Sequence, residues 1–376
     1  MVKRKTLLIL VNVDWFFISH RLCIAQQAVK EGWRVVVVAK DTGKADEIRS
    51  NGIEFIDILS TRSGTNPFAE LIIISKLSKI YKKLKPDVVH HITLKPVIYG
   101  SIIARAQKIK GVVNAISGLG YYFTNNKKGI LPKLLMKMMK IIFNQERMTF
   151  LFQNHDDYTE LKKANILRVF HTSYFIKGAG VDLVKFQYFP EQKNNKIIIL
   201  FPARMLCNKG VKELKAVTEL LKNEYFGKIS FLLCGKIDDD SKDAVPIEYI
   251  RQWEEDGYVT WLGVRKDMVA IFNKCHIVVF PSYREGIPKS LIEACASGRP
   301  IVTTNAIGCK DCVDEGLNGY KVPVRSVVEL AEAIEKLILS PTDRKKMGLY
   351  GRQKAVKEFD QKMVVKRHLE IYNELL

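Results

Sequence analysis

The sequence predicts an α/β protein made of two doubly wound parallel-sheet domains, and three observations predict it. The chain has 376 residues, too many for one ordinary domain and enough for two that each bury a core. Short apolar runs rich in Val and Ile alternate with helix-length segments, the pattern of parallel strands covered by helices on both faces. The pattern loosens into glycine, proline and polar residues from Gly178 to Lys196 and then restarts, which marks a linker.

In order, the first half offers strands at Thr6–Val11 (TLLILV), Arg34–Ala39 (RVVVVA), Ile53–Ile58 (IEFIDI), Asp87–Ile92 (DVVHHI), Val112–Ser117 (VVNAIS) and Thr149–Asn154 (TFLFQN). Each is short and rich in β-branched or aromatic residues. After the linker come Ile197–Ala203, Ile229–Gly235, Tyr258–Gly263, His276–Ser282 and Pro300–Asn305, with helical segments from about Val327 onward. This reading gives domains over residues 1–185 and 186–355, and a last helix over 356–376 that packs back on the first domain. Open α/β sheets bind ligands outside the carboxyl ends of their strands, so two such domains predict a cleft between those ends.

Hydrophobic residues make up 47% of the chain and charged residues 27%, which excludes a disordered chain. No apolar run reaches the length of a membrane span. The opening MVKRKTLLILVNVDWFF lacks a small-residue cleavage site, so it is read as a first buried strand. The seven cysteines are scattered, and Cys309 and Cys312 form a lone C-x-x-C without a second pair, so no zinc site is expected and the thiols read as reduced, cytoplasmic ones. The net charge of +20 is uneven: residues 1–185 hold 30 Lys/Arg against 14 Asp/Glu, whereas the remainder holds 30 against 26. Such a field implies an anionic partner for the first half: nucleic acid, a phospholipid surface or a phosphorylated substrate.

Chemistry gathers in two segments of the second half. In YREGIPKSLIEACASGRPIV, Glu285 lies in the loop after a strand, and Pro288 suits the start of a helix that carries Glu293 about one turn in. Amide groups near Lys289, Ser290 and Leu291 have no intrahelical acceptor, so the helix start suits a phosphate. Glutamates eight apart are also common by chance, and Glu293 could serve only the helix electrostatically. In FPARMLCNKGVKEL, Arg204 and Lys209 follow the first strand, with Gly210 at a helix start. An arginine fork and a lysine point charge can hold a diphosphate and the charge it gains on leaving, or can be solvated loop cations.

Taken together, FPARMLCNKG and YREGIPKSLIEACASGRPIVTTNAIGCKDCVDEGLNGYKVP resemble the C-terminal half of retaining glycosyltransferases of family 4, whose signature E-x7-E stands here as Glu285 and Glu293. NVDWFFISHRLCIAQQA, STRSGTNPFAEL, KPDVVHHITLKPVIYGSI and ISGLGYYF resemble the N-terminal half of a PglA-like subgroup that builds bacterial surface polysaccharides. The resemblance implies the GT-B fold, two Rossmann-like domains facing a central cleft, and a UDP-sugar donor held by the second. It implies Glu293 on the ribose, Glu285 on the donor sugar, and Arg204 and Lys209 on the diphosphate. Ser290, Leu291, Gly286 and Ile287 are expected to assist, and Gly263 and Arg265 to flank the base. No metal and no cofactor are expected, and the DDD run Asp238 to Asp240 reads as a solvated loop. The family histidine after the fifth strand has no counterpart in NAISGLGYYF.

The acceptor is expected on the basic half, with His20, Arg21, Lys95, Gly118 and Gly120 as candidate contacts and Arg21 and Lys95 meeting a diphosphate. His90 and His91 end a strand, so one should point inward and the other toward the cleft; hydrogen bonding and catalysis both remain open to them. In NNKKGILPKLLMKMMKIIFNQERM, Leu131, Leu134, Leu135, Met138 and Ile142 recur at helical spacing beside Lys133, Lys137 and Lys140, with Lys127 and Lys128 before them. That segment is either a helix with its apolar face in the core or one lying on an anionic bilayer. The expected protein is therefore a cytoplasmic enzyme, peripheral on the membrane, that moves a hexose or N-acetylhexosamine from a UDP-sugar to a polyprenyl-diphosphate-linked saccharide. A UDP-sugar epimerase of the same fold and a basic nucleic-acid-binding protein are the alternatives; no nucleic-acid module stands in the basic runs, so none is expected as a partner.

Overall fold

The computed structural model describes residues 4–58, 67–119, 130–192, 194–238, 241–255 and 257–376. The chain forms two compact units, Met1–Ala179 with Lys362–Leu376, and Gly180–Gln361. The units part at Ala179/Gly180 and again at Gln361/Lys362, a few residues from the boundaries read in the sequence.

The first unit runs β1 (Thr6–Val13), α1 (Asp14–His20), α2 (Leu22–Lys30), β2 (Arg34–Lys40), α3 (Ala45–Arg49), β3 (Glu54–Asp57), α4 (Pro67–Leu84), β4 (Val88–Ile92), α5 (Leu94–Ala106), β5 (Gly111–Ile116), α6 (Ile130–Ile142), β6 (Met148–Phe152), α7 (His155–Lys163) and β7 (Thr172–Phe175). Its strands form one parallel sheet in the order β3-β2-β1-β4-β5-β6-β7. Alternation along β1 sends Leu7 and Ile9 into one core and Leu8 and Leu10 into another, so both faces of the sheet are covered, as a parallel sheet requires. Buried Asp14 fastens the turn after β1 by accepting from the Thr42 amide and hydroxyl at 2.5 and 2.6 Å.

Strand β7 was not legible as a run: TSYF is four residues long and pairs only with β6 at the sheet edge. The histidines of β4 also differ from expectation. His90 and His91 are both fully buried, on opposite faces, and neither reaches solvent. His91 is bonded between the Tyr81 hydroxyl (3.0 Å) and Asn114 Oδ1 (2.7 Å), and burial pushes its imidazole down to about 4. A neutral, doubly bonded imidazole holds the core together.

The second unit contains β8 (Ile197–Phe201), α8 (Val211–Tyr225), β9 (Ile229–Leu233), α9 (Ile247–Glu254), β10 (Val259–Trp261), α10 (Met268–Lys274), β11 (Ile277–Phe280), α11 (Lys289–Ala296), β12 (Ile301–Thr304), β13 (Gly319–Val322), α12 (Val327–Leu339) and α13 (Pro341–Glu358). The sheet is again parallel, in the order β10-β9-β8-β11-β12-β13. Strand order reverses between β8 and β11, which makes their carboxyl ends the switch point where doubly wound sheets bind ligands. Cys309 and Cys312 are free, buried thiols of this core, and burial pushes both up. The last helix, α14 (Gln361–Glu374), places Val364, Leu369, Ile371 and Tyr372 in the core of the first unit. Among the described residues no helix is long and apolar enough to cross a membrane.

Candidate active site

The switch point of the second sheet is built from loops that lock into one another. The loop after β8 ends in a short 3-10 turn, Cys207–Lys209, followed by Gly210 at φ 79°. A Cβ on Gly210 would stand 2.3 Å from the carbonyl oxygen of Pro281, so glycine there lets the loop after β11 pass directly against it. The Tyr283 amide donates to the Asn208 carbonyl at 3.0 Å, and the Tyr283 hydroxyl to Glu213 on α8 at 2.5 Å. From the far side the Glu285 amide donates to the Ile307 carbonyl at 2.9 Å, so the backbone under Glu285 is fixed by neighbours on both sides.

These loops bring Lys209 and Glu285 together as an ion pair, 76 residues apart in sequence, with both side chains largely buried. The Ser282 hydroxyl donates to the same carboxylate oxygen at 2.6 Å. Arg204 pairs with Asp238, which follows β9 and is only 3% exposed; Lys236 stands 3.4 Å from that carboxylate. Asp238 is therefore no part of a solvated loop: the strand it follows delivers it to the site edge, where its charge offsets two cations. Asp239 and Asp240 lie outside the described residues.

On α11, Glu293 is buried and Lys289 approaches it to 3.6 Å, one helical turn away. Burial raises its carboxyl above the usual range, against the opposing pull of Lys289 and Lys185. The Leu291 amide donates to the Pro288 carbonyl at 3.1 Å, so of the two amides expected to assist, Leu291 is already engaged. Buried Arg299, just past α11, donates to the carbonyls of Phe272 and Phe189 at 2.8 and 2.9 Å and anchors the end of the segment. Gly286 and Ile287 lie in the loop between Glu285 and α11, with Ile287 buried. In the loop after β10, Gly263 has φ 62° and its carbonyl accepts from the Gly235 amide; Arg265 is exposed and held bidentately by Asp267 at 2.8 and 2.7 Å.

Two site residues escaped the sequence reading. Asp238 and Ser282 both follow the carboxyl end of a strand, the same placement that singled out Arg204, and that placement was the signal available for them.

The first-unit candidates are placed less uniformly. His20 ends α1, stacks on Phe16 with ring centroids 4.2 Å apart, and lies 2.6 Å from the Ser19 hydroxyl. Arg21 is buried between α1 and α2 and does not lie in a loop beside a strand. Lys95 is on the first turn of α5 and bonds Glu70 at 2.6 Å, so its charge is already met. Gly118 follows β5 with φ 102°; Gly120, Lys127 and Lys128 lie outside the described residues, as do most of the STRSGTNPFAEL and SGLGYYF segments. The apolar stripe of α6 divides: Met139 on the helix and Phe143 just beyond it are buried, Leu135 and Ile142 are half-buried, and Leu134, Met138 and Ile141 are 53%, 40% and 62% exposed beside Lys133, Lys137 and Lys140. The side chain of Leu131 lies outside the described residues.

Comparison with known proteins gives the family and the fold. The model for glycosyl transferases group 1 matches residues 185–354, and the glycosyl transferase 4-like model matches residues 6–154. The chain is 27% identical to the Campylobacter jejuni N,N'-diacetylbacillosaminyl-diphospho-undecaprenol alpha-1,3-N-acetylgalactosaminyltransferase, across 91% of each. It is 24% identical to the Staphylococcus aureus capsular polysaccharide biosynthesis glycosyltransferase CapM, across 92% of this chain and 91% of that one. Among solved structures, Anabaena HepE in complex with UDP-glucose shares the fold at a TM-score of 0.79, with 15% identity over 98% of this chain and all of that one.

Proposed function

Because the chain belongs to the glycosyltransferases, 4-like in its first half and group 1 in its second, we propose that it moves a hexose or N-acetylhexosamine from a UDP-sugar to a saccharide carried on a polyprenyl diphosphate. The observation that carries the reading is the meeting of Lys209 with Glu285 at the β8/β11 switch point, with Arg204 on the same strand end. The names of the relatives support it: one acts on an undecaprenol-diphosphate saccharide and another serves capsular polysaccharide biosynthesis. Surface polysaccharide assembly is the setting we assign to this chain.

In this reading Glu293, a desolvated carboxylate with spare acceptor capacity, receives the two ribose hydroxyls. The Ser290 amide at the start of α11, with Lys209 and Arg204, holds the diphosphate, Asp238 yielding Arg204 as the donor arrives. Gly286, Ile287 and Leu291 line the donor, and Gly263 and Arg265 flank the base. Glu285 accepts from hydroxyls of the donor sugar, and Ser282 and Lys209 fix its orientation. The bond from the anomeric carbon to the diphosphate breaks and UDP leaves with the electron pair. The acceptor oxygen bonds to that carbon from the same face, and its proton passes to the departing diphosphate. Configuration is retained. The lysine and arginine supply the charge that other transferases draw from a metal, so no metal or cofactor is used.

The first unit meets the membrane. Exposed Leu134, Met138 and Ile141 share one face of α6 with exposed lysines beside them, and α4 exposes Phe68, Leu71 and Ile72. Apolar side chains flanked by lysines suit the anionic inner face of a cytoplasmic membrane, where a lipid-linked acceptor resides.

The test is UDP release and product analysis with a panel of UDP-sugars, a polyprenyl-diphospho-saccharide and excess chelator. Release that depends on the acceptor, survives chelation and gives an α-linkage from an α-linked donor supports the reading. Conversion of UDP-sugar without acceptor favours the epimerase reading, and no turnover of any donor contradicts both.

A further inference from the structure

The first unit contains a buried cation, Arg21, with no anion beside it among the described residues. Arg21 is 3% exposed; its Nη1 donates to the His20 carbonyl at 2.9 Å, and its Nε has no partner. No carboxylate pairs with it among the described residues, and the ionisable groups around it are Tyr372, Cys23, His90 and His368. Burying a guanidinium without a counterion is costly, and proteins that do so normally supply the missing charge.

Arg21 lines a small, partly open pocket with room for about one water-sized group. Ser117 and Gln153 line it from just beyond the carboxyl ends of β5 and β6, Gly178 from beyond β7, and His368 from α14. The Ser117 hydroxyl is buried and, like Arg21 Nε, has no partner. His368 bonds the Val364 carbonyl through Nδ1 at 2.8 Å, leaving Nε2 for another contact. Nearby, His90 bonds Tyr372 through Nδ1, and its Nε2 too is unpartnered. The pocket admits one oxygen of a larger anion. A positive, hydroxyl-lined recess at the carboxyl edge of a doubly wound sheet is suited to one ligand chemistry, a phosphoryl oxygen.

We propose that Arg21 and Ser117, with His368 as the wall supplied by the C-terminal helix, seat a phosphoryl oxygen of the acceptor's diphosphate, an inference that rests on the lipid-linked acceptor reading above. The helix α14 thereby serves the acceptor as well as the fold, because it closes the pocket from the opposite end of the chain.

The experiment compares the wild-type protein with Arg21→Met and Ser117→Ala in two arms. In the first, thermal melting is followed with inorganic pyrophosphate, with UDP and with neither. The wild type should gain melting temperature with pyrophosphate. Arg21→Met should melt at or above the wild type without ligand, since it removes an uncompensated buried charge, and should respond to pyrophosphate clearly less than the wild type does, the remainder coming from the donor diphosphate site of the second unit. A merely structural arginine predicts the opposite, a marked fall without ligand, and that outcome overturns the proposal, as does an undiminished pyrophosphate response. In the second arm, KM for a polyprenyl-diphospho-saccharide should rise about tenfold or more in Arg21→Met and less in Ser117→Ala, with KM for the UDP-sugar unchanged. An unchanged acceptor KM overturns the assignment to the acceptor. If the wild type transfers to no lipid-linked acceptor, the function proposed above fails, and the pyrophosphate arm still decides whether the pocket binds phosphoryl groups.

Discussion

Lys209 and Glu285 are ion-paired between the loops that follow β8 and β11, the two strands at which the second sheet reverses its order. The pair is largely buried, so each charge depends on the other, and Ser282 adds a second contact to the same carboxylate oxygen. In the function proposed above, the cation assigned to a diphosphate and the carboxylate assigned to a sugar are thus already held against each other before any donor arrives. Preorganised charge of this kind is where transferases gain most of their transition-state stabilisation.

Lys209→Met is expected to lower kcat about 10²- to 10³-fold and also to destabilise the fold, because it leaves Glu285 buried and unpaired. The double variant Lys209→Met/Glu285→Gln separates the two effects. Its melting temperature should return toward that of the wild type while its activity stays low. Recovery of activity together with stability would show that the pair is structural only.

Glu293→Gln should weaken UDP-sugar binding about tenfold, the loss of hydrogen bonds to a charged acceptor, yet stabilise the free protein. The sign follows from burial, which raises this carboxyl above its ordinary value in the fold. A raised carboxyl favours the fold while protonated and costs stability once ionised. Wild type and variant should therefore melt alike in acid below the ordinary carboxyl range. The variant should become the more stable of the two as pH rises through that range and past the raised value. Melting curves from pH 4 to 8 measure this, and a variant less stable at pH 8 would contradict it.

Gly210→Ala should be strongly destabilising and nearly inactive. The added Cβ meets the Pro281 carbonyl and demands a positive φ, which together cost about 2–4 kcal/mol. Chemical denaturation checks this directly, and a loss below about 0.5 kcal/mol would show that the two loops can separate freely.

Replacing Leu134, Met138 and Ile141 together by Gln should leave the melting temperature within a few degrees of the wild type, since all three are exposed. Sedimentation with anionic phospholipid vesicles should fall about tenfold or more, and neutral vesicles should bind neither protein well. Equal binding of the triple variant to anionic vesicles would move the membrane surface away from α6.

Much of this was legible in the sequence because parallel strands buried on both faces read as continuous Val/Ile runs, which is why β1, β2, β8 and β11 stood out. The strands that escaped, β7 and β13, are short edge strands whose residues carry no such run; β13 begins at Gly319, where the backbone passes so close to Ile301 that no side chain fits. Candidate site residues were legible where a strand end and a charged residue coincide, as at Arg204, Lys209 and Glu285, and the structure places all three at the β8/β11 strand ends. What sequence could not show is which charges pair. Asp238 read as part of a solvated loop beside two further aspartates, and Lys95 as a contact to a diphosphate, until the fold set each against its partner. Burial likewise corrected half of the reading of His90 and His91: one was expected inward and one toward the cleft, and both are buried.

The most direct test of the account is the mass of a polyprenyl-diphospho-saccharide after incubation with each of several UDP-sugars. The account predicts a gain of one hexose or N-acetylhexosamine from at least one donor, matched by UDP release and slowed about 10²- to 10³-fold with Lys209→Met. An acceptor mass that stays unchanged across the panel, or a gain that Lys209→Met reproduces at the wild-type rate, would contradict it.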